Sequence, residues 1–478
     1  MKMDKIDKTA ERRPQHKKRP KKKNYKYYKM KILVFGATVF IMAVIALIIP
    51  LRPTESEVEK RSLATFPSFS LSSFLNGEFF KGVDTWYADT FPFRELLISG
   101  NNKYRSLYGF GNTTLHGTIQ EADDIPTEKF DMAMIVSDSG KRYFEDLENQ
   151  LKDKIQAQQD EANAISNASG GKKRREINVV PEQVGSIYIS GDTAFQLYYF
   201  ATEPVDRYVN ALDRLANKVG DSVNIYDIVV PISTGIYLDE SLQNELGCSN
   251  QQDAINYIYS SLDSRIKTVN VFDTLKEHSD EYLYFRTDHH WTALGAYYTY
   301  CEYMNVKGDS PTLLSEYETM TFDNFLGTYY SSSNQNAALG ANPDTIVAYI
   351  PKATNDMTYV DTDGNEQQWK VIEDVTDWAA SGKYNCFIGG DNPLSTIENP
   401  DLSDGSSCLV VKESFGNAFV PFLVDNYQTV YVVDYRYYPE GITGLIQEKG
   451  IQDVIFLNNI SAATTDSLVQ NIEEIIDY

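Results

Sequence analysis

Residues 186–459 repeat one pattern: a short apolar run rich in β-branched residues, then a longer segment with apolar positions every three or four residues. "SIYIS" (186–190) reads as a strand, and "VDRYVNALDRLANKVG" (205–220) as a helix with Tyr208, Leu212 and Leu215 on its inner face. "VNIYDIVVPIS" (223–233), "KTVNVFDTL" (267–275), "SSCLVVK" (406–412), "TVYVVDYRYY" (429–438) and "DVIFLNN" (453–459) are further strand-like runs, and "ITGLIQEKG" (442–450) is a helix between the last two. Strands that are apolar throughout, rather than alternating, are buried on both faces. The pattern therefore predicts an α/β domain over 179–478, with a mostly parallel sheet covered by helices on both sides.

What precedes this domain has a different character. Residues 1–31 carry fourteen Lys/Arg against Asp4, Asp7 and Glu11, a local charge of +11; the whole chain is −23, so the remainder is −34. Next comes "ILVFGATVFIMAVIALIIP" (32–50), uncharged and, at ~1.5 Å per residue, long enough for a ~30 Å hydrocarbon core. We read a basic cytoplasmic tail (1–31) and a transmembrane signal anchor (32–50), since lysines beside a span stay in the cytoplasm. A cleaved signal peptide is the alternative, but "IIPLRPTESE" offers no small-x-small cleavage site. The expected location is a single-pass cell-membrane protein with an extracytoplasmic acidic domain. Such a domain repels polyanions, so nucleic acid is excluded as a partner.

Residues 51–119 read as a polar stalk and the N-terminal helical part of the outer domain, with Phe79, Phe80, Val83, Trp86 and Tyr87 at helical spacing. Residues 120–178 are charged, poor in aromatics and end in "ASGGKKRRE", the composition of an exposed helix and a partly flexible insertion. Four cysteines without CxxC spacing predict thiols rather than a zinc knuckle or a disulfide framework.

Two of only five histidines sit together in "TDHHWT" (287–292). Thr292 is an N-cap candidate for the helix that follows, which leaves Asp288 to Trp291 on the loop before it. Residues two apart in an extended loop share a side, so Asp288 and His290 can pair while His289 faces away. A carboxylate that orients an imidazole makes a general base. Asp288, His289 and His290 are also metal-ligand types, but a metal would need ligands from elsewhere, and His16, His116 and His278 lie in other regions. The reading adopted has no metal and no cofactor. The nucleophile for such a base is Ser414, because "CLVVKESFGNAFVPFL" predicts strand, sharp turn and helix, with helix N-terminal amides pointing at the serine to stabilise an oxyanion. Simple N-capping is the structural alternative for Ser414.

"TDHHWT", "KESFGNAFVPFL" (412–423), "VVDYRYY" (432–438), "VVPIS" (229–233) and "DTFPFR" (89–94) together resemble the bacterial DHHW-motif family, itself similar to SGNH-hydrolase-like alginate O-acetyltransferases. The resemblance covers about 55–475 without the insertion. It implies an SGNH-hydrolase-like three-layer domain with permuted motif order and a Ser-His-Asp triad of Ser414, His290 and Asp288. It also implies a membrane-anchored O-acetyltransferase or acetylesterase, with an exported or envelope polysaccharide as acceptor. A membrane-bound acyl-transfer partner would supply acetyl groups. Glu413 stands where the family usually has Asp before the serine. Gly390 and Asn392 in "GGDN" are oxyanion candidates; Trp291, Arg436 and Tyr437 are substrate candidates, with an Asp434–Arg436 structural pair as the alternative. Tyr198 and Phe200 are expected to be exposed for sugar stacking. A non-catalytic glycan-binding or scaffold protein of the envelope is the rival function.

Overall fold

The structure, a computed structural model, describes residues 33, 55–56, 61–68, 78–91, 113–127 and 185–477. The basic tail, nearly all of the apolar run 32–50, and the insertion beyond residue 127 lie outside the described residues. No helix among the described residues is long and apolar enough to cross a membrane.

Two compact units divide the chain. The first contains helix α1 (Glu78–Asp89), which carries the predicted aromatic spacing. Phe66 meets Trp86 edge to face at 4.9 Å and Phe79 at 6.2 Å.

In the second unit, β1 (Thr113–His116), β2 (Ile187–Ser190) and β3 (Thr193–Gln196) form an antiparallel three-stranded sheet. Asp123 takes the amide of Thr202 at 2.8 Å, so residues 113–123 are built into this unit. The elements that frame the site include α2 (Thr202–Val219), β4 (Asn224–Val230), α3 (Gln251–Ser261), β5 (Ile266–Thr268), α4 (Ala293–Lys307), β6 (Glu318–Phe325), α5 (Thr328–Ser332) and β7 (Asp344–Ile350). Then come β8 (Asp356–Val360), β9 (Glu366–Lys370), β10 (Leu394–Glu398), β11 (Ser407–Lys412), α6 (Gly416–Leu423), β12 (Thr429–Asp434), α7 (Ile442–Lys449), β13 (Asp453–Asn459) and α8 (Asp466–Asp477).

The main sheet has eight strands in the order β9-β8-β10-β12-β11-β13-β4-β5. Its half from β12 to β5 is parallel, as the apolar runs predict; every residue of β11 is buried. The other half, β10, β8 and β9, is antiparallel, which the sequence reading did not foresee. Residues of β9 alternate between exposed and half-buried and those of β10 between half-buried and buried, because that part of the sheet has one wetter face.

Adjacent residues on β4 show the layering, since neighbours on a strand point to opposite faces. Tyr226 packs edge to face at 5.0 Å on Tyr303 of α4, while Asp227 takes the hydroxyl of Tyr208 from α2 at 2.5 Å. Helices α2, α3, α7 and α8 thus form one layer, and α4 and α6 the other. Arg207 of α2 pairs with Glu473 and Asp466 at α8. All four cysteines are free and buried, as expected. Tyr198 and Phe200 are 1 % exposed and belong to the core, so the expectation that they offer a sugar-stacking surface fails. Large aromatics at element ends bury more area in the core than they leave available for ligand.

Candidate active site

Two segments converge at the carboxyl ends of the parallel strands, where open α/β sheets bind ligands. One is the turn after β11, from Lys412 to Gly416. The other is a tight hairpin that carries 285–290 at its tip: Tyr284 and Trp291 are bridged, Phe285 N donates to His290 O, and Thr292 N donates to Leu283 O. Thr292 caps α4 as predicted.

The hairpin tip is anchored from behind. Asp344, fully buried at the start of β7, accepts from the backbone amide and the hydroxyl of Thr287 at 2.8 and 2.6 Å, from Arg286 Nε at 3.1 Å, and from the Tyr282 hydroxyl. From the side, Gly327 and Thr328 close against Asp288. The Thr328 amide donates to Asp288 Oδ2 at 2.8 Å, and a Cβ on Gly327 would lie 2.1 Å from that oxygen, so only glycine fits there.

Within the tip, Asp288 Oδ1 accepts from His290 Nδ1 at 2.5 Å and from its backbone amide at 3.0 Å. His290 Nε2 lies 2.7 Å from Ser414 Oγ. Burial alone would raise the Asp288 carboxyl, but the neighbouring His290 and His289 rings and the hydrogen bonds from His290 and Thr328 hold it well below the usual carboxylate range. An ionised carboxylate only accepts, so Nδ1 carries the imidazole proton and Nε2 is the acceptor for the serine hydroxyl. Ser414, His290 and Asp288, chosen from sequence, therefore form one hydrogen-bonded chain, and all three are buried.

His289 does not face away. Its ring lies 3.8 Å from that of His290 and its Nδ1 is 2.6 Å from Thr328 Oγ1, because the tight hairpin and the Thr328 side chain fold it back beside its neighbour. The ligand atoms of Asp288, His289 and His290 cluster within 4.8 Å, but both Nδ1 atoms and His290 Nε2 are hydrogen-bonded to protein groups.

Several contributors were absent from the sequence reading. Tyr384 stacks on His290 at 3.8 Å and 12°, and its hydroxyl donates to Ser414 O at 3.1 Å. Burial holds that hydroxyl well above its ordinary pKa, so it remains a donor. Thr328 and Asp344 likewise carry no local sequence signal; they lie about 40 and 57 residues from the hairpin residues they hold. Glu413 was legible beside the serine, but its role was not. Its carboxylate accepts from Phe415 N at 3.0 Å and Asn459 N at 2.8 Å and lies 3.2 Å from Ser414 Oγ, tying the turn to the end of β13.

The secondary candidates fall differently. Trp291 is fully buried and donates to Phe415 O at 2.9 Å, which holds the backbone after the serine. Gly390 N donates to Phe387 O and Asn392 Nδ2 to Ile388 O, so both expected oxyanion donors are used inside their own loop. The helix amides expected to face the serine are also used: Phe415 N by the Glu413 carboxylate, Gly416 N by Glu413 O, and Asn417 N by Ser414 O. Arg436 makes a two-point pair with Asp434 and reaches Asp391 at 3.1 Å, while Lys412 Nζ meets Asp434 at 2.8 Å and Asp391 at 3.2 Å. This is the structural pairing held open above. Tyr437 lies against Arg436, 5.5 Å from ring centre to guanidinium.

Fold and site together define a mixed α/β protein with a serine, a histidine and an aspartate in hydrogen-bonded order. The chain belongs to the DHHW protein family, whose profile matches residues 59–433. A DHHW family protein from Eubacterium siraeum is 31% identical, covers 61% of this chain and 95% of its own, and superposes with a TM-score of 0.55. PatB1 of Bacillus cereus, solved with a sulfonyl adduct, is 22% identical, covers 59% of this chain and 97% of its own, with a TM-score of 0.50. The O-acetyltransferase domain of Pseudomonas putida AlgJ is 12% identical, covers 59% of this chain and 96% of its own, with a TM-score of 0.30, too remote to place any residue. No curated protein matches the chain.

Proposed function

We propose that this chain is a serine-dependent O-acetyltransferase or acetylesterase, anchored in the membrane by residues 32–50, that acts outside the cytoplasm on an envelope or exported polysaccharide. The observation that carries the reading is the 2.7 Å contact from Ser414 Oγ to His290 Nε2, backed by Asp288 on the other ring nitrogen. As Ser414 Oγ attacks the acetyl carbonyl, its proton passes to His290 Nε2, and Asp288 stabilises the imidazolium. Collapse of the tetrahedral intermediate breaks the bond to the donor's leaving oxygen, which takes that proton and leaves acetyl-Ser414. A sugar hydroxyl then gives its proton to His290, attacks the serine ester and releases Ser414; water in that place makes the protein an esterase. The acetyl donor reaches the site through a membrane-bound acyl-transfer partner, a role consistent with the basic flank and apolar run at the N-terminus. An oxyanion needs donors, and the amides after Ser414 are already engaged, so the turn must shift as the substrate enters.

Incubating the purified chain with 4-nitrophenyl acetate and digesting it should yield a Ser414 peptide heavier by one acetyl group. No acyl-serine under conditions where the fold is intact would overturn the enzymatic reading and favour a glycan-binding or scaffold role.

A further inference from the structure

The serine reaction as read above needs one histidine, yet a second lies against it. Thr328 Oγ1 has one proton and three polar neighbours: His289 N at 3.3 Å, His289 Nδ1 at 2.6 Å and Asp288 Oδ2 at 3.2 Å. The backbone amide can only donate, and the ionised carboxylate can only accept. The hydroxyl proton therefore goes to Asp288 Oδ2, and the hydroxyl oxygen accepts from both His289 groups. From this accounting we infer that His289 is a positioning residue: it carries its proton on Nδ1 and orders the Thr328 hydroxyl so that it donates to Asp288.

The chain of donors runs His289 Nδ1–H, Thr328 Oγ1–H, Asp288, His290 Nδ1–H. Asp288 is thereby loaded at both oxygens, with His290 N and Nδ1 on Oδ1 and Thr328 N and Oγ1 on Oδ2. A hydroxyl that accepts a hydrogen bond donates a stronger one, so His289 tightens the hold on the carboxylate without touching Ser414. The same bond keeps the His289 ring beside His290, where a neutral ring, unlike an imidazolium, does not oppose the charge that His290 acquires.

This inference rests on the proposed serine mechanism for its kinetic consequence but not for its structural one, and the tests separate the two. With only five histidines in the chain, 15N-histidine NMR of the full-length protein at neutral pH resolves the rings. The signals lost in His289→Asn should be those of a ring protonated at Nδ1 and bare at Nε2; an Nε2–H tautomer there overturns the inference whatever the activity. In acetyl-ester turnover, His289→Leu and Thr328→Val should each slow kcat about five- to tenfold, the worth of one hydrogen bond in a network, with KM little changed. The double variant should be hardly slower than either single one. His289→Asn and Thr328→Ser, which keep the donor and the hydroxyl, should recover most of the rate. Multiplied losses in the double variant, or a His289→Asn as slow as His289→Leu at equal thermal stability, would sink it. If Ser414→Ala hydrolyses the ester as fast as the wild type, the serine reading fails and the tautomer measurement still stands.

Discussion

Ser414 has one hydroxyl proton and two acceptors within reach, His290 Nε2 at 2.7 Å and Glu413 Oε2 at 3.2 Å; the shorter contact and the better lone pair belong to the imidazole. If that proton is the one transferred, Ser414→Ala, His290→Ala and Asp288→Asn should each remove nearly all acetyl-ester turnover, on the order of 10⁴-fold. The Ser414→Ala/His290→Ala double should be no worse, since residues acting as a unit are non-additive. A product of two large losses in steady-state kinetics would mean they act separately. EDTA should leave the wild type fully active, because a metal would have to break the hydrogen bonds that already engage these side chains; inactivation would revive the metal reading. Gly327→Ala tests the packing around Asp288. The added methyl group meets the carboxylate at 2.1 Å, so the variant should lose about 1–3 kcal/mol in urea denaturation and most of its turnover; wild-type values for both would show that the hairpin tip can yield.

The hairpin that carries the tip is an element held by one buried carboxylate. Asp344 reaches it from β7 with bonds to Arg286, Thr287 and Tyr282, and no part of Asp344 is solvent-exposed. Replacing it by Ala leaves several donors of the hairpin without an acceptor and one flanking guanidinium without its partner. The expected cost is about 2–4 kcal/mol by chemical denaturation, with kcat falling more than KM rises because the reacting groups lose their alignment. An unchanged kcat at reduced stability would show that the tip holds its geometry without this anchor. Much of the element level was legible in sequence. Helix α4 begins after Thr292 as the cap predicted, and β11, its turn and α6 follow the predicted order. The antiparallel strands β10, β8 and β9 were not legible, because their short alternating runs lie among turns and carry no long apolar signal.

At the scale of the whole molecule, two buried carboxylates pull stability in opposite directions with pH. Burial raises Asp227 to about 7, and its Tyr208 bond only partly offsets this. A carboxyl whose folded pKa lies above its unfolded value near ~3.9 stabilises the fold at low pH, and that contribution is lost as pH rises through ~4 to about 7. Asp227→Asn, neutral throughout, should therefore flatten the fall of unfolding free energy, and with it of Tm, between about pH 4 and 7, by up to about 1.4 kcal/mol per pH unit. Asp288 works the other way, since its lowered pKa contributes stability that disappears only in acid. A wild-type Tm independent of pH over that interval would show that Asp227 ionises without cost. The topology expected from the basic block has its own test: protease outside intact cells should digest residues 51–478 and spare the N-terminus. Protection of the C-terminal domain would remove the envelope substrate class. Deleting Ala164–Arg175 should change Tm little, as closure entropy grows only logarithmically with loop length; collapse would show that the segment packs.

By itself the sequence determined what depends on spacing along the chain. Runs of apolar residues set the parallel part of the sheet, Asp288 and His290 two apart set their pairing, and a serine between an apolar strand and an apolar helix set the turn that carries it. Tertiary structure alone decided what depends on proximity across the chain. Thr328 and Asp344 hold the hairpin from segments about 40 and 57 residues away, Tyr384 stacks on His290, and Glu413 engages Asn459. His289 was misjudged for the same reason. Alternation along an extended strand fixes which way a side chain leaves the backbone, but a tight hairpin with a hydroxyl beside it decides where the ring comes to rest. The engagement of the expected oxyanion donors is likewise a matter of tertiary structure, since which acceptor an amide meets depends on every group that the folded chain brings to it.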